Sequence, residues 1–235
     1  MAGRPPKLAH VRDTFLRDSV QARDLILAVR YLSAIKRKNN EPRLHPEQAR
    51  RVFELAFLGL IASWEEFLEQ AFVRYLAGAQ SDNGYCPKLR VGKSSGIAHS
   101  YHLISGDPSF DPSRNYSRFS DPKWVIAVSK NYFELGAPFA PQLHANIDIL
   151  QHAIKLRNRV AHNSTKSREE FKHAALQHLG RPADGSLPQG YGVGDLLLSK
   201  AERIFGQEAR DKNWVFFVAY AIRLRRMARH ICPER

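Results

Sequence analysis

The sequence predicts an all-α helical bundle, and three observations carry that expectation. Apolar residues recur at spacings of three and four over most of the chain, proline and glycine clusters punctuate the gaps between those stretches, and no convincing period-two strand pattern appears outside residues 85–104. Residues 13–36 place Leu16, Val20, Leu27, Tyr31 and Ile35 on one helical stripe, with Arg12, Arg17, Arg23 and Arg30 largely outside it. Arg37, Lys38, Asn39 and Asn40, then Pro42, form a basic last turn followed by a breaker. Pro46 opens a stronger helix, with Glu47 suited to the positive end of its dipole. Phe53, Phe57, Leu60, Trp64, Phe67, Ala71 and Tyr75 keep the spacing to residue 76 or 77, and Gly78 supplies the stop. At 1.5 Å per residue that helix is about 45 Å long and would be the spine of the bundle.

Residues 78–122 carry five glycines and three prolines between Gly78 and Pro112, with Pro122 beyond, and read as a loop-rich insertion. Periodicity resumes near Trp124 and breaks again at Gly136, Pro138 and Pro141. A further helix, residues 142–162, shows Leu143, Ile147, Leu150 and Ile154 on one face. Ser167-Arg168-Glu169-Glu170 has the form of a capping box that opens a short helix ending at Gly180. Asp195 can cap another through Phe205, closed by Gly206, and residues 207–231 form the last, burying Trp214, Phe217, Ala221, Leu224 and Ala228 with Arg223, Arg226 and Arg229 on another face. The expected organisation is a disordered start over residues 1–10 and a single helical domain over 11–235.

The 235 residues suffice for one large domain whose core needs no staples. Cys86 and Cys232 cannot form a disulfide framework, which suits a reducing cytoplasm. The longest apolar runs, residues 55–62 and 214–222, are less than half the ~20 residues of a membrane helix, so no membrane partner is expected. The formal net charge of +13 attracts polyanions without saying which. Gly92-Lys93-Ser94 lacks the earlier glycine and leading strand of a phosphate-binding P-loop, and Gly190, Gly192 and Gly194 lack dinucleotide-binding spacing. His99 and His102 find no recognisable ligand set, and no metal or other cofactor is expected.

The informative stretch is Leu156-Arg157-Asn158-Arg159-Val160-Ala161-His162-Asn163. Asn158 follows Ile154 by four residues and His162 follows Asn158 by four, so the polar pair extends the apolar stripe. Arg157 and His162 are five residues apart, about 140° around an ideal helix, so a guanidinium and an imidazole from one helix converge poorly, whereas two copies of the helix across a twofold axis would bring them together. The same residues also fit a plain helix terminus, with Arg157 paired to a carboxylate of the long helix and His162 and Asn163 capping the end.

The string Arg157-Asn158-(Arg-Val-Ala)-His162 resembles the signature of the HEPN superfamily (higher eukaryotes and prokaryotes nucleotide-binding domains): an Arg, four to six residues, then a His, often with Asn directly after the Arg. The segment Leu60-Ile61-Ala62-Ser63-Trp64-Glu65-Glu66-Phe67-Leu68 also looks like the long helix of some HEPN groups, and the resemblance covers about residues 10–180. It implies a HEPN-type bundle and metal-independent endoribonuclease activity in a homodimer, in a toxin or antiphage defence effector, with an antitoxin or regulatory protein as a further partner. The two Arg-His pairs would meet in one cleft. His162 would move a proton between the ribose 2′-hydroxyl and the leaving 5′-oxygen, Arg157 would hold the scissile phosphate, and Asn158 would orient the imidazole or donate to a phosphate oxygen. The product would end in a 2′,3′-cyclic phosphate. Some HEPN toxins carry a tyrosine two residues after the His, where this chain has Ser164. Glu65 and Glu66 are candidate partners for Arg157, an exposed helical face being the alternative. In the insertion, Lys88, Arg90, Lys93, Arg114 and Arg118 interleave with Tyr85, Tyr101, Tyr116, Phe119 and Trp124, the composition either of a platform for single-stranded RNA or of a loop packed down by its own aromatics.

Overall fold

A computed structural model describes residues 7–36, 43–114 and 118–235. Residues 1–6, the basic turn expected at 37–42, and Tyr116 lie outside the described residues. Among those described are ten α-helices: α1 (Ala9–Ala34), α2 (Pro46–Leu76), α3 (Ile97–Ser105), α4 (Pro122–Tyr132), α5 (Phe139–His144), α6 (Ile147–Ala161), α7 (Thr165–Leu179), α8 (Val193–Leu198), α9 (Glu202–Asp211) and α10 (Phe216–Ile231). Isolated bridges, Leu89 to Phe133 and Lys200 to Val215, occur among them and no strand does, so the chain is all-α. No helix among the described residues is long and apolar enough to cross a membrane.

The chain divides into two compact units, one of Met1–Arg17, Ser63–Leu150 and Leu224–Arg235, the other of Asp18–Ala62 and Gln151–Arg223. In the first, Phe15, Phe67, Phe72, Tyr75, Phe133 and Phe139 are almost wholly buried. Phe72 meets Phe133 and Phe139 with ring centroids 4.9 and 5.0 Å apart. The Tyr75 hydroxyl, deep in this core, donates to the Ile231 carbonyl at 2.8 Å. Arg12 is buried as well, and its guanidinium reaches Asp82 Oδ2 at 2.7 Å, Asp13 Oδ1 at 2.8 Å and the Pro233 carbonyl at 3.3 Å. Burial opposes its charge, but the hydrogen bonds to Asp13 and Asp82 more than offset that, and the guanidinium is held above its ordinary value. Within the stretch expected to be disordered, Leu8 is buried and α1 starts at Ala9.

The insertion is less irregular than expected. It contains α3, whose Ser100 hydroxyl donates to the Val73 carbonyl at 2.9 Å and whose Tyr101 hydroxyl donates to Glu69 Oε1 at 2.8 Å. Gly78 adopts a φ of 81°, so the left-handed turn after α2 calls for glycine.

In the second unit Phe53, Phe57, Phe216, Phe217 and Tyr220 form the core. α8 enters at Gly192, whose amide donates to Asp195 Oδ2 at 2.9 Å, so Asp195 caps from the third helical position rather than opening the helix. The helix ends at Leu198, and α9 continues through Gly206 (φ 75°) to Asp211; Asn213 (φ 48°) then separates α9 from α10, where a single helix was expected. Trp214 is in consequence only half-buried. The helix expected over 142–162 is likewise two, because Asn146 turns its side-chain amide onto the Gln142 carbonyl at 2.8 Å between α5 and α6.

α1 corrects the stripe read from the sequence. Its buried residues are Val11, Arg12 and Phe15 in the first unit and Ser19, Ile26 and Val29 in the second, so Arg12, expected outside the stripe, lies within it. Leu27 and Tyr31, expected inside, are 48 and 68% exposed, and Leu25 and Leu32 stand in solvent beside them.

Against Tyr220 sits a buried imidazole, His178. Its Nδ1–H donates to the Ala174 carbonyl at 2.7 Å and its Nε2 accepts from the Tyr220 hydroxyl at 3.0 Å, an arrangement that fixes the neutral tautomer. Burial, and then the neighbouring His152 with its ring centroid 4.5 Å away, lower its pKa to about 4. The unfolded chain therefore binds a proton here that the folded chain refuses, so this contribution to stability is complete above pH 6.5 and is lost as pH falls toward 4, about 3 kcal/mol in all. Urea titrations at pH 7 and pH 4.5 should show that loss, and His178→Phe should flatten it. An unchanged pH slope in the variant would count against the assignment.

Candidate functional site

The Arg157 to His162 stretch occupies the last turns of α6 and the corner leading into α7, all within the second unit. Leu150, Ala153 and Leu156 are the buried aliphatic residues of α6, while Ile154 and Asn158 are half-buried and His162 is exposed, so the polar pair leaves the core rather than continuing into it. Arg157 is half-buried and its Nη1 donates to Asn158 Oδ1 at 3.2 Å. The His162 amide donates to the Asn158 carbonyl at 2.8 Å, which fixes the imidazole one helical turn beyond Asn158. The His162 carbonyl in turn accepts from the buried Ser167 hydroxyl at 2.8 Å, a side-chain tie from the first turn of α7 back to the end of α6. Backbone on both sides of His162 is thus held while its ring stays in solvent.

Ser164, not Ser167, caps α7: its side chain accepts from the Ser167 amide at 3.2 Å. The helix expected to open at a Ser167 capping box therefore starts three residues early on a Ser164 cap, and the Ser167 hydroxyl bonds the His162 and Ser164 carbonyls instead.

Three residues that sequence reasoning did not bring together complete this corner. Asn163 Oδ1 accepts from Arg159 Nη1 at 3.0 Å and from Arg168 Nε and Nη2 at 3.2 and 2.9 Å. Two guanidinium groups thus share one neutral oxygen. Arg159 and Asn163 stand four apart, a helical spacing legible in the sequence, but Arg168 reaches them only through the turn between α6 and α7.

The other expected site residues lie in the first unit. Glu65 is half-buried, and Glu66 is exposed at the edge of a small cavity of ≈ 130 Å³ that His10, Ser63, Gln70 and Arg74 also line. Lys88 pairs with Glu134 at 3.3 Å, Arg114 lies 3.6 Å from Asp111, and Arg90 donates to the Lys130 carbonyl at 2.8 Å; Lys93 and Arg118 are exposed. Tyr101 and Phe119 are buried, and Tyr101 stacks on Phe110, so these two aromatics pack the insertion down and offer no face to a base. Among the described residues no group of three or more His, Cys, Asp or Glu side chains converges as metal ligands would. Comparison of the chain with protein-family models, with curated proteins and with solved structures finds no match.

Proposed function

We propose that the chain is a metal-independent endoribonuclease of HEPN type, acting as a homodimer in which Arg157, Asn158 and His162 of each copy face a shared groove. The observation that carries this reading is the exposed imidazole of His162, held at its backbone and set one turn beyond an Arg157–Asn158 hydrogen bond, at a corner rich in guanidinium groups. An imidazole open to solvent can accept the 2′-hydroxyl proton as that oxygen attacks phosphorus, and a second one can protonate the departing 5′-oxygen. A guanidinium beside them stabilises the added charge on the phosphate oxygens. The biological setting we infer is that of a cytoplasmic toxin or antiphage effector, restrained by an antitoxin or regulatory protein. The purified chain, incubated with end-labelled RNA in EDTA, should release fragments ending in 2′,3′-cyclic phosphate and 5′-hydroxyl. Binding without fragments would instead identify a non-catalytic RNA-binding module.

The surface that supports a second copy is the outer face of α1 in the same unit. Leu27 and Tyr31 expose apolar side chains on the side of the helix away from buried Ile26 and Val29, and Leu25 and Leu32 are exposed at the flank of the buried side. A twofold contact between two such faces is self-complementary and would cover them. Leu27→Glu combined with Tyr31→Glu should convert the dimer to a monomer in sedimentation velocity. A dimer of unchanged mass in the double variant would remove α1 from the interface.

A further inference from the structure

The shared oxygen of Asn163 raises a chemical question that the Arg157–His162 pair does not answer. Arg159 Nη1 and Arg168 Nη2 both lie within hydrogen-bond distance of that atom, so the two cationic nitrogens stand within about 6 Å of each other. Each guanidinium repels the other, and an amide oxygen carries only a partial charge with which to hold them. Neither has a carboxylate in salt-bridge range among the described residues, although Glu169 and Glu170 follow Arg168 directly and Lys166 is 3.9 Å from Glu170. Arg168 presents two adjacent N–H groups of its fork to the oxygen, the geometry with which guanidinium receives an oxyanion. Arg159 retains Nε and Nη2 and Arg168 retains Nη1 for further acceptors.

We infer that Arg159, Asn163 and Arg168 form a binding site for a backbone phosphate of single-stranded RNA, in which Asn163 Oδ1 keeps the place of an anionic oxygen until the strand arrives. This deepens the ribonuclease reading and rests on it for the identity of the polyanion. The site sits one residue from His162, so the phosphate it takes is a neighbour of the scissile one, and its role is to register the strand against the imidazole. Arg159 and Arg168 are positioning residues and touch no reacting atom. The fold offers RNA two cations in fixed relative geometry here, which the scattered cations of the insertion do not.

Asn163→Asp separates this role from a structural one. A carboxylate at that position satisfies both guanidiniums, so a purely structural cluster would tolerate or favour it, whereas a phosphate would now meet a like charge. The probe is a single-stranded oligoribonucleotide with every 2′-oxygen methylated, which cannot attack its own phosphate and so reports binding without turnover. Asn163→Asp should weaken its binding about tenfold, as expected when charge-assisted hydrogen bonds are lost, with an unchanged or raised melting temperature. Arg159→Gln with Arg168→Gln should weaken it at least as much, and the dependence of log K on log salt should become shallower by about 0.7 for the phosphate released. Wild-type affinity in Asn163→Asp overturns the inference, whether or not the protein cleaves unmodified RNA. Weakened binding in both variants, with no cleavage of unmodified RNA by the wild type, leaves the phosphate site standing and removes the ribonuclease reading. Failure of the wild-type chain to bind the oligonucleotide removes both.

Discussion

On the ribonuclease function proposed above, replacing His162 by alanine should lower the rate of RNA cleavage by about 10²- to 10⁴-fold, the range that a positioned general acid or base supplies. The side chain is exposed and its backbone is held by the Asn158 carbonyl and the Ser167 hydroxyl, so the substitution removes no packing and should change folding stability by no more than about 0.5 kcal/mol. That combination, activity gone and fold intact, is what distinguishes a reacting group from a helix cap. Arg157 needs a finer instrument, because it is half-buried and its loss also releases Asn158. Arg157→Lys keeps the charge and gives up the fork; its cleavage rate should fall while its melting curve stays near that of the wild type. Full cleavage by His162→Ala, measured as cyclic-phosphate ends, would end the catalytic assignment.

Arg12→Ala should be the most destabilising of the substitutions considered, by about 3 kcal/mol, the low end for breaking a buried ion pair because Asp13, Asp82 and Glu234 keep contact with water. The guanidinium joins the start of α1, the turn at Asp82 and the carbonyls of Cys232 and Pro233, and removing it leaves those carbonyls and the Asp13 and Asp82 carboxylates without their donor. Arg12→Met keeps the apolar stem and should recover part of the loss. Equilibrium urea unfolding gives both values, and a loss below about 1 kcal/mol for the alanine variant would show that the cluster is merely a surface network.

How much of this was legible beforehand differs from helix to helix for physical reasons. α2 begins at Pro46 and ends before Gly78 as its sequence signals require, and every apolar residue named on its stripe is buried. α1 has apolar residues on two sides. Periodicity reports that a stripe exists but not which of two stripes faces the core, and the choice fell on Phe15 and Ile26 rather than Leu27 and Tyr31. The same ambiguity hid Arg12, an arginine on the inward side whose partners lie some 70 and 220 residues away in sequence. The breaks at Asn146 and Asn213 depended on an amide hydrogen bond and a left-handed backbone that no spacing rule contains. At the candidate site, the order Arg157, Asn158, His162 along one helix end was readable; the meeting of Arg159 and Arg168 on Asn163 required the corner to be built first.

The outward leucines and tyrosine of α1 also bear on dosage. If each groove is assembled from two chains, its abundance below the dissociation constant scales with the square of chain concentration, so a twofold rise in synthesis yields about fourfold more competent enzyme. Damage to cellular RNA would then begin abruptly as expression climbs, with sparse copies nearly harmless, a threshold set by the greasiness of one helix.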